Sequence, residues 1–341
     1  MEIRPTWEDS MAWLIGIDEA GYGPNLGPLV MTAAPIAIPD DQMPVDLWQR
    51  LHKAVRRHTD DDDGRLLVAD SKQVYSPARG LAPLEKSVLA ALHTSFYWRH
   101  GLALALNLKS LLGLLCPVDL LDGQQTDLHA ESWYHGNTTL PLAADGSVLT
   151  AATESLREAC ADCGVFIGVC RSVVVCAPRF NDLTDSCDSK AAALAYGLTL
   201  LLRESMANAH GDDAIDFLID KHGGRNQYGA MLTQALAAGF VWGREEGAGR
   251  SYYEVEGLDR PVRITVQPRA DLEHFSVALA SMVSKYVREA LMAEFNAFWQ
   301  GHVAELEPTA GYPGDSSRFF EQIRPAMQTL GLCERQVWRR R

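Results

Sequence analysis

No stretch of the 341-residue chain is apolar over the length needed to cross a bilayer, which argues against a membrane-spanning helix. The opening residues, MEIRPTWEDS, lack a cationic segment followed by an apolar one, so no secretory signal is expected and a cytoplasmic address follows by default. Cysteine is sparse and odd in number, at seven, which speaks against a disulfide framework. Cys160 and Cys163 form a C-x-x-C with Cys170 and Cys176 downstream, but the later spacing matches no familiar zinc pattern. Buried thiols are the expectation there, with a zinc site as the alternative. Internal repeats and low-complexity tracts are missing, and so is any G-x-x-x-x-G-K phosphate loop. Excess positive charge is lacking as well. The net charge of −13 argues against a broadly basic nucleic-acid coat, though not against a locally basic groove.

What is present is ordinary for a globular protein: 47% apolar and 22% charged residues, enough chain for one elaborated domain or two. Apolar, β-branched runs predict strands at 13–20, 27–38, 164–177 (one or two), 214–220, 239–243, 251–256 and 262–267. Residues 95–107 also read as strand-like. Helical periodicity is expected over 44–58, 77–93, 151–162, 189–209, 228–238, a long stretch from 268 to Trp299, and part of 311–331. Residues 108–150 are irregular, and the acidic run Asp60 to Asp63 reads as a solvated loop, with a calcium site as the alternative. Strands in succession, then strands alternating with helices, predict a mixed α/β sheet flanked by helices.

Chemistry concentrates at the first strand end. In WLIGIDEAGYGPNLGP (13–28) an apolar run stops at Asp18 and Glu19 and is followed by a glycine-rich turn. A buried strand end is a rigid place to project acids, and glycines let backbone N–H groups approach a ligand. Asp220 and Asp271 each follow another apolar run. Acids at neighbouring strand ends can converge on divalent cations, and a pair of such ions suits phosphoryl displacement. The alternative is that each Asp simply ends its strand as a turn former.

Five segments, in order, resemble motifs of the ribonuclease HII family: IDEAGYGPNLGPLV (17–30), VADSK (68–72), FLIDKHGG (217–224), PRADLEHFSVALASMVSKYVREALM (268–292) and GYPGDSSRFFEQI (311–323). The resemblance implies a ribonuclease H-like fold over 10–341, with a C-terminal helical extension and with 86–150 as an insertion that has no counterpart in the family. It further implies that Asp18, Glu19, Asp220 and Asp271 are catalytic acids holding two Mg²⁺ or Mn²⁺ ions. Gly21, Tyr22 and Gly23 would surround a ribose 2′-hydroxyl, Tyr312 would stack on the neighbouring sugar, and Lys72 and Lys285 could approach substrate phosphate. Asp70 is expected to be structural. The implied activity is endonucleolytic cleavage 5′ of a ribonucleotide in an RNA·DNA hybrid or ribonucleotide-containing duplex, leaving 3′-hydroxyl and 5′-phosphate ends.

The chain departs from the family at several points. Tyr22 replaces the arginine of Gly-Arg-Gly, removing a guanidinium while keeping the backbone amides. Lys221 and His222 follow the third acid where the family has glycine; His222 is expected as an exposed turn residue, with a proton shuttle as the alternative. Arg288-Glu289 stands where Arg-Asp is usual. Arg339, Arg340 and Arg341 read either as a basic edge or as a solvated tail. These departures keep two rivals open: a nuclease of the same fold acting on branched or single-stranded nucleic acid, and a non-catalytic nucleic-acid-binding relative.

Overall fold

The structure, a computed structural model, describes residues 11–43, 45–59, 63–100, 107–116, 124–208, 212–237 and 239–340. Strands β1 (Met11–Ala20) and β2 (Leu29–Pro39) are buried along nearly their whole length, as unbroken apolar runs covered on both faces should be. The others are β3 (Val55–Arg56), β4 (Leu66–Leu67), β5 (Phe166–Ile167), β6 (Arg171–Val175), β7 (Ala214–Asp220), β8 (Phe240–Glu246), β9 (Ser251–Glu256) and β10 (Val262–Gln267). One sheet runs β5-β2-β1-β7-β10-β9-β8, with β6 also paired to β2, while β3 and β4 pair separately. β1 is antiparallel to β2 but parallel to β7, which is parallel to β10; β9 and β8 continue antiparallel to the edge. The expected mixed α/β sheet flanked by helices is therefore what the chain forms.

The helices are α1 (Leu47–Arg50), α2 (Ser71–Val74), α3 (Ala82–His100), α4 (Leu108–Leu115), α5 (Gln124–His129), α6 (Gly146–Cys163), α7 (Ala177–Cys187), α8 (Ala191–Asn208), α9 (Gly229–Ala235), α10 (Ala270–Glu273), α11 (Phe275–His302), α12 (Pro313–Thr329) and α13 (Glu334–Val337). α11 lies across β1 and β2 so closely that a Cβ on Gly16 would stand 2.1 Å from the Ser276 carbonyl carbon. Ser284 of α11 bonds Thr32 of β2 at 2.9 Å on that face. The neighbouring Met31 points the other way, onto Gly197 of α8, as strand alternation requires. The central strands are thus sandwiched between α11 and α8.

Several expectations need correction. The helix expected over 44–58 is only α1, capped by Asp46, which accepts from Trp48 and Gln49; buried Val55 then pairs with Leu66 in a short strand. Residues 95–100, read as strand, belong to α3, where Phe96 is buried and the Ser95 hydroxyl donates to the Gly168 carbonyl at 2.8 Å. Packing outweighs the β propensity of these aromatics. Residues 101–106 lie outside the described residues, as do Asp60, Asp61, Asp62 and Arg341. The irregular region contains α4, α5 and the start of α6. Leu108, Leu111, Leu112 and Leu115 of α4 are all buried, a helical period inside a leucine-rich run. A buried carboxylate secures the loop that follows: Glu85 accepts from the N–H groups of Leu142, Ala143 and Ala144 and from the Tyr286 hydroxyl of α11. Glu294 does the same for Gly136 and Thr138.

Cys160, Cys170 and Cys176 are buried free thiols and Cys163 is half-buried. Among the described residues no group of three cysteine, histidine or acidic side chains is set to hold a metal, zinc at these cysteines included. Asp63, the described member of the acidic run, pairs with Arg65. Among the described residues no helix is long and apolar enough to cross a membrane.

Candidate active site

Because β1, β7 and β10 run parallel, their C-terminal ends meet at one edge of the sheet: Ile17 pairs with Ile219, and Asp220 with Gln267. Asp18 and Asp220 therefore close adjacent strands. The chain leaves β10 through Arg269, held in the left-handed region at φ 59°, which starts α10 and sets Asp271 in its first turn. The Ala270 N–H donates to Asp220 Oδ1 at 2.8 Å and ties that turn to the end of β7. Asp18 accepts the Glu19 N–H at 2.7 Å and Ser284 donates to the Asp18 carbonyl at 3.1 Å, while the nearby Ser281 hydroxyl donates to Ser71 at 3.1 Å. Helix α11 thus fixes the first acid through Ser284.

The acids act on one another. Burial, then the Glu19 and Asp220 charges, holds Asp18 well above the usual carboxylate range. Burial, then Asp220, pushes Glu19 up to about 7. Asp271 rises to about 6 through burial and the charges of Asp70 and Asp220, and Asp220 is raised chiefly by burial. Lys72 is the cation that opposes these shifts at Glu19, Asp220 and Asp271, so it faces the cluster. Asp70 caps α2 by accepting the Lys72 N–H, a structural role. Carboxylates this mutually repelled suit a divalent cation, and Glu19 Oε2 is buried without a hydrogen-bond partner. The oxygen donor set fits Mg²⁺ or Mn²⁺, although among the described residues the side chains are gathered without being closed into a metal cage.

The glycine turn beside the acids is gripped from behind by two buried guanidiniums. Arg288 of α11 donates to the carbonyls of Pro28 (3.2 Å), Leu26 (3.2 Å) and Ala310 (2.9 Å). Arg339 donates to Gly21 (2.7 Å), Tyr22 (3.2 Å), Gly27 (3.3 Å) and Pro24, with its guanidinium 4.3 Å from the Phe180 ring centre. Burial and the Arg288 charge push Arg339 below the ordinary arginine value. Arg339 is neither a basic edge nor a solvated tail. Sequence reasoning missed it, since nothing near Trp338 signals that the next residue crosses the molecule. Gly21 has φ 89°, and a Cβ there would meet Arg288 at 2.4 Å, whereas a Cβ on Gly23 would meet nothing within 4 Å. Among the described residues the N–H groups of Tyr22 and Gly23 donate to no protein group.

Tyr312 begins α12 beside this turn. Gly311 accepts from the Asn25 N–H at 2.8 Å, and the half-exposed Tyr312 ring lies 5.8 Å from the Arg288 guanidinium. The Tyr22 ring is covered by Lys190 at 4.6 Å. Lys285 pairs with Glu289 at 2.6 Å and sits over Tyr75. Lys221 is likewise engaged, bonding Asn226 and the carbonyls of Gly247 and Ala248. His222, expected at the surface, is buried at 6% exposure because Tyr228 packs edge-on against it. Burial, then the Arg225 charge, lowers its imidazole to about 4, so the ring is neutral at physiological pH.

No protein-family model matches the chain, and no curated protein matches it. Among solved structures, the ribonuclease H2 from Pyrococcus horikoshii OT3 is similar over 95% of this chain and 92% of its own, at 14% identity and a TM-score of 0.46. A chain in the structure of the PCNA:RNase HII complex from Archaeoglobus fulgidus is similar over 96% and 94%, at 14% identity and a TM-score of 0.44. Bst-RNase HIII in complex with Mn²⁺ is similar over 96% of this chain and 66% of its own, at 16% identity and a TM-score of 0.39. The architecture of the present chain rests on its own strand pairing: three parallel strand ends that gather acids beside a clamped glycine turn.

Proposed function

We propose that the chain is a metal-dependent endonuclease of the ribonuclease HII type, one nuclease domain over 10–341 with 86–150 inserted. The supporting observation is the convergence of Asp18, Glu19, Asp220 and Asp271 at one sheet edge, charges that repel each other unless cations are bound. In this reading the four acids would hold two Mg²⁺ or Mn²⁺ ions, which when bound supply an activated water and stabilise the leaving oxygen. Lys72 offers a positive charge to the scissile phosphate. The free N–H groups of Tyr22 and Gly23 contact the ribose 2′-hydroxyl, the group by which RNA is told from DNA. The half-exposed Tyr312 ring stacks on the neighbouring sugar. The substrate is an RNA·DNA hybrid or a duplex with an embedded ribonucleotide, cut on its 5′ side to leave 3′-hydroxyl and 5′-phosphate ends, with no covalent enzyme intermediate.

One observation favours a second reading. The Tyr22 ring lies under Lys190 where the family's arginine would stand, a change of contact that fits the same chemistry on branched or single-stranded nucleic acid. Cleavage assays with Mn²⁺ and Mg²⁺ separate the two. One embedded ribonucleotide and a full hybrid should be cut and an all-DNA duplex spared; equal cutting of all three favours the second reading. Asp18→Asn and Asp220→Asn should each abolish cleavage with little effect on folding. Full activity in either purified variant overturns the assignment.

A further inference from the structure

His222 Nε2 and Glu19 Oε2 are both buried, neither has a hydrogen-bond partner, and they face each other at 3.9 Å. That separation is too long for a hydrogen bond, and an unsatisfied buried polar atom is costly, so two that face each other call for a shared partner. Donors bound to a common octahedral ion at about 2.1 Å lie about 3 Å apart when cis and about 4.2 Å apart when trans. The observed 3.9 Å is nearer the trans spacing, so a small adjustment of either side chain brings both onto one ion. The imidazole is also held in place independently of any ion: its ring packs edge-on against Tyr228, and its own backbone N–H donates to the Tyr228 hydroxyl at 3.2 Å.

We propose that His222 is a ligand of the metal centre, sharing one ion with Glu19 through Nε2. This rests on the nuclease reading, which supplies the carboxylate ligands, and adds a nitrogen donor to an otherwise all-oxygen set. Mg²⁺ favours hard oxygen ligands and dehydrates reluctantly, whereas imidazole strengthens binding of first-row transition ions. The centre should therefore discriminate in favour of Mn²⁺. A buried histidine that merely packs would leave no trace on the ion.

Pulsed electron paramagnetic resonance of Mn²⁺ bound to the untagged, full-length chain reads this directly. Nitrogen modulation is expected on the bound ion; it should change frequency when histidine is labelled with ¹⁵N, a test that needs no variant, and vanish in His222→Phe. Calorimetry should show Mn²⁺ binding weakened at least about tenfold in His222→Phe, with Mg²⁺ affected less. Mn²⁺ binding that depends on Asp220 but carries no nitrogen modulation overturns the His222 assignment and leaves the nuclease reading standing. Modulation that persists in His222→Phe also overturns it. If the wild-type chain binds no Mn²⁺ at all, both fall.

Discussion

Replacing Glu19 by glutamine should stabilise the metal-free protein at pH 8 and leave it almost unchanged at pH 5. Burial and the Asp220 charge lift Glu19 from 4.5 to about 7 in the folded chain. Between those values the native state holds a proton that the unfolded chain has released. The associated stability is fully present below the unfolded pKa and is lost as pH rises through the folded one. By pH 8 the ionised carboxylate costs about 3 kcal/mol relative to the unfolded chain. Glutamine keeps the shape without the charge. An unfolding entropy of about 2 cal/mol/K per residue turns 3 kcal/mol into about 4 °C of Tm for a chain of this length.

The assay is thermal unfolding in chelator at both pH values. The variant should melt about 4 °C above wild type at pH 8 and within about 1 °C of it at pH 5. Saturating Mn²⁺ should invert the order at pH 8, because the wild-type carboxylate then gains a partner that glutamine cannot replace. An equal shift at both pH values, or a destabilised variant at pH 8, refutes the argument that the Glu19 charge is held against repelling neighbours.

Arg339→Ala strips donors from the Gly21, Tyr22, Pro24 and Gly27 carbonyls and should cost about 3 kcal/mol, a fall of about 4 °C in Tm. Substrate KM should rise while Mn²⁺ affinity stays near wild type; unchanged KM counts against the clamp. Gly21→Ala and Gly23→Ala make a contrasting pair. The first places a Cβ 2.4 Å from the Arg288 side chain in a left-handed backbone and should destabilise by at least about 2 kcal/mol. The second meets no protein atom within 4 Å, so its Tm should be unaltered and its effect confined to substrate binding. Equal melting shifts in the two would contradict the geometry.

The parts of the fold visible in the sequence are those whose cause is local. IGID and FLID read as strands because buried central strands are unbroken apolar runs, and each run is stopped by an acid that the parallel pairing then sets beside its neighbour. α11 is legible from its length and apolar content. Residues 95–100 are not, because SFYWRH carries strand-favouring aromatics, and only the packing of Phe96 and Ser95 makes them helical. Lys221 and His222 both follow an acid in a glycine-flanked turn and look alike locally. One is drawn out to the carbonyls of Gly247 and Ala248, the other is buried under Tyr228, and both partners arrive from later in the chain. Arg339 is the extreme case, with 318 residues separating it from the Gly21 carbonyl it binds.

That separation has a consequence for how the site is divided. The acids are placed by the sheet and by α11: Gly16 allows the helix to touch β1, and Ser284 then holds Asp18. The glycine turn is placed by Arg288 and by the last turn of the chain, through Arg339 and the pairing of Leu26 with Trp338. The two supports share α11, which carries both Ser284 and Arg288, so Arg339 is the part of the turn's support that does not also place the acids. The Arg339 guanidinium holds the carbonyls of the turn, and among the described residues the N–H groups of Tyr22 and Gly23 are left without a protein acceptor. Damage to the tail should loosen the turn without dispersing the acids, so that ion binding survives while the proposed ribose contact fails. Coincident loss of both in Arg339→Ala would mean that the two supports are one.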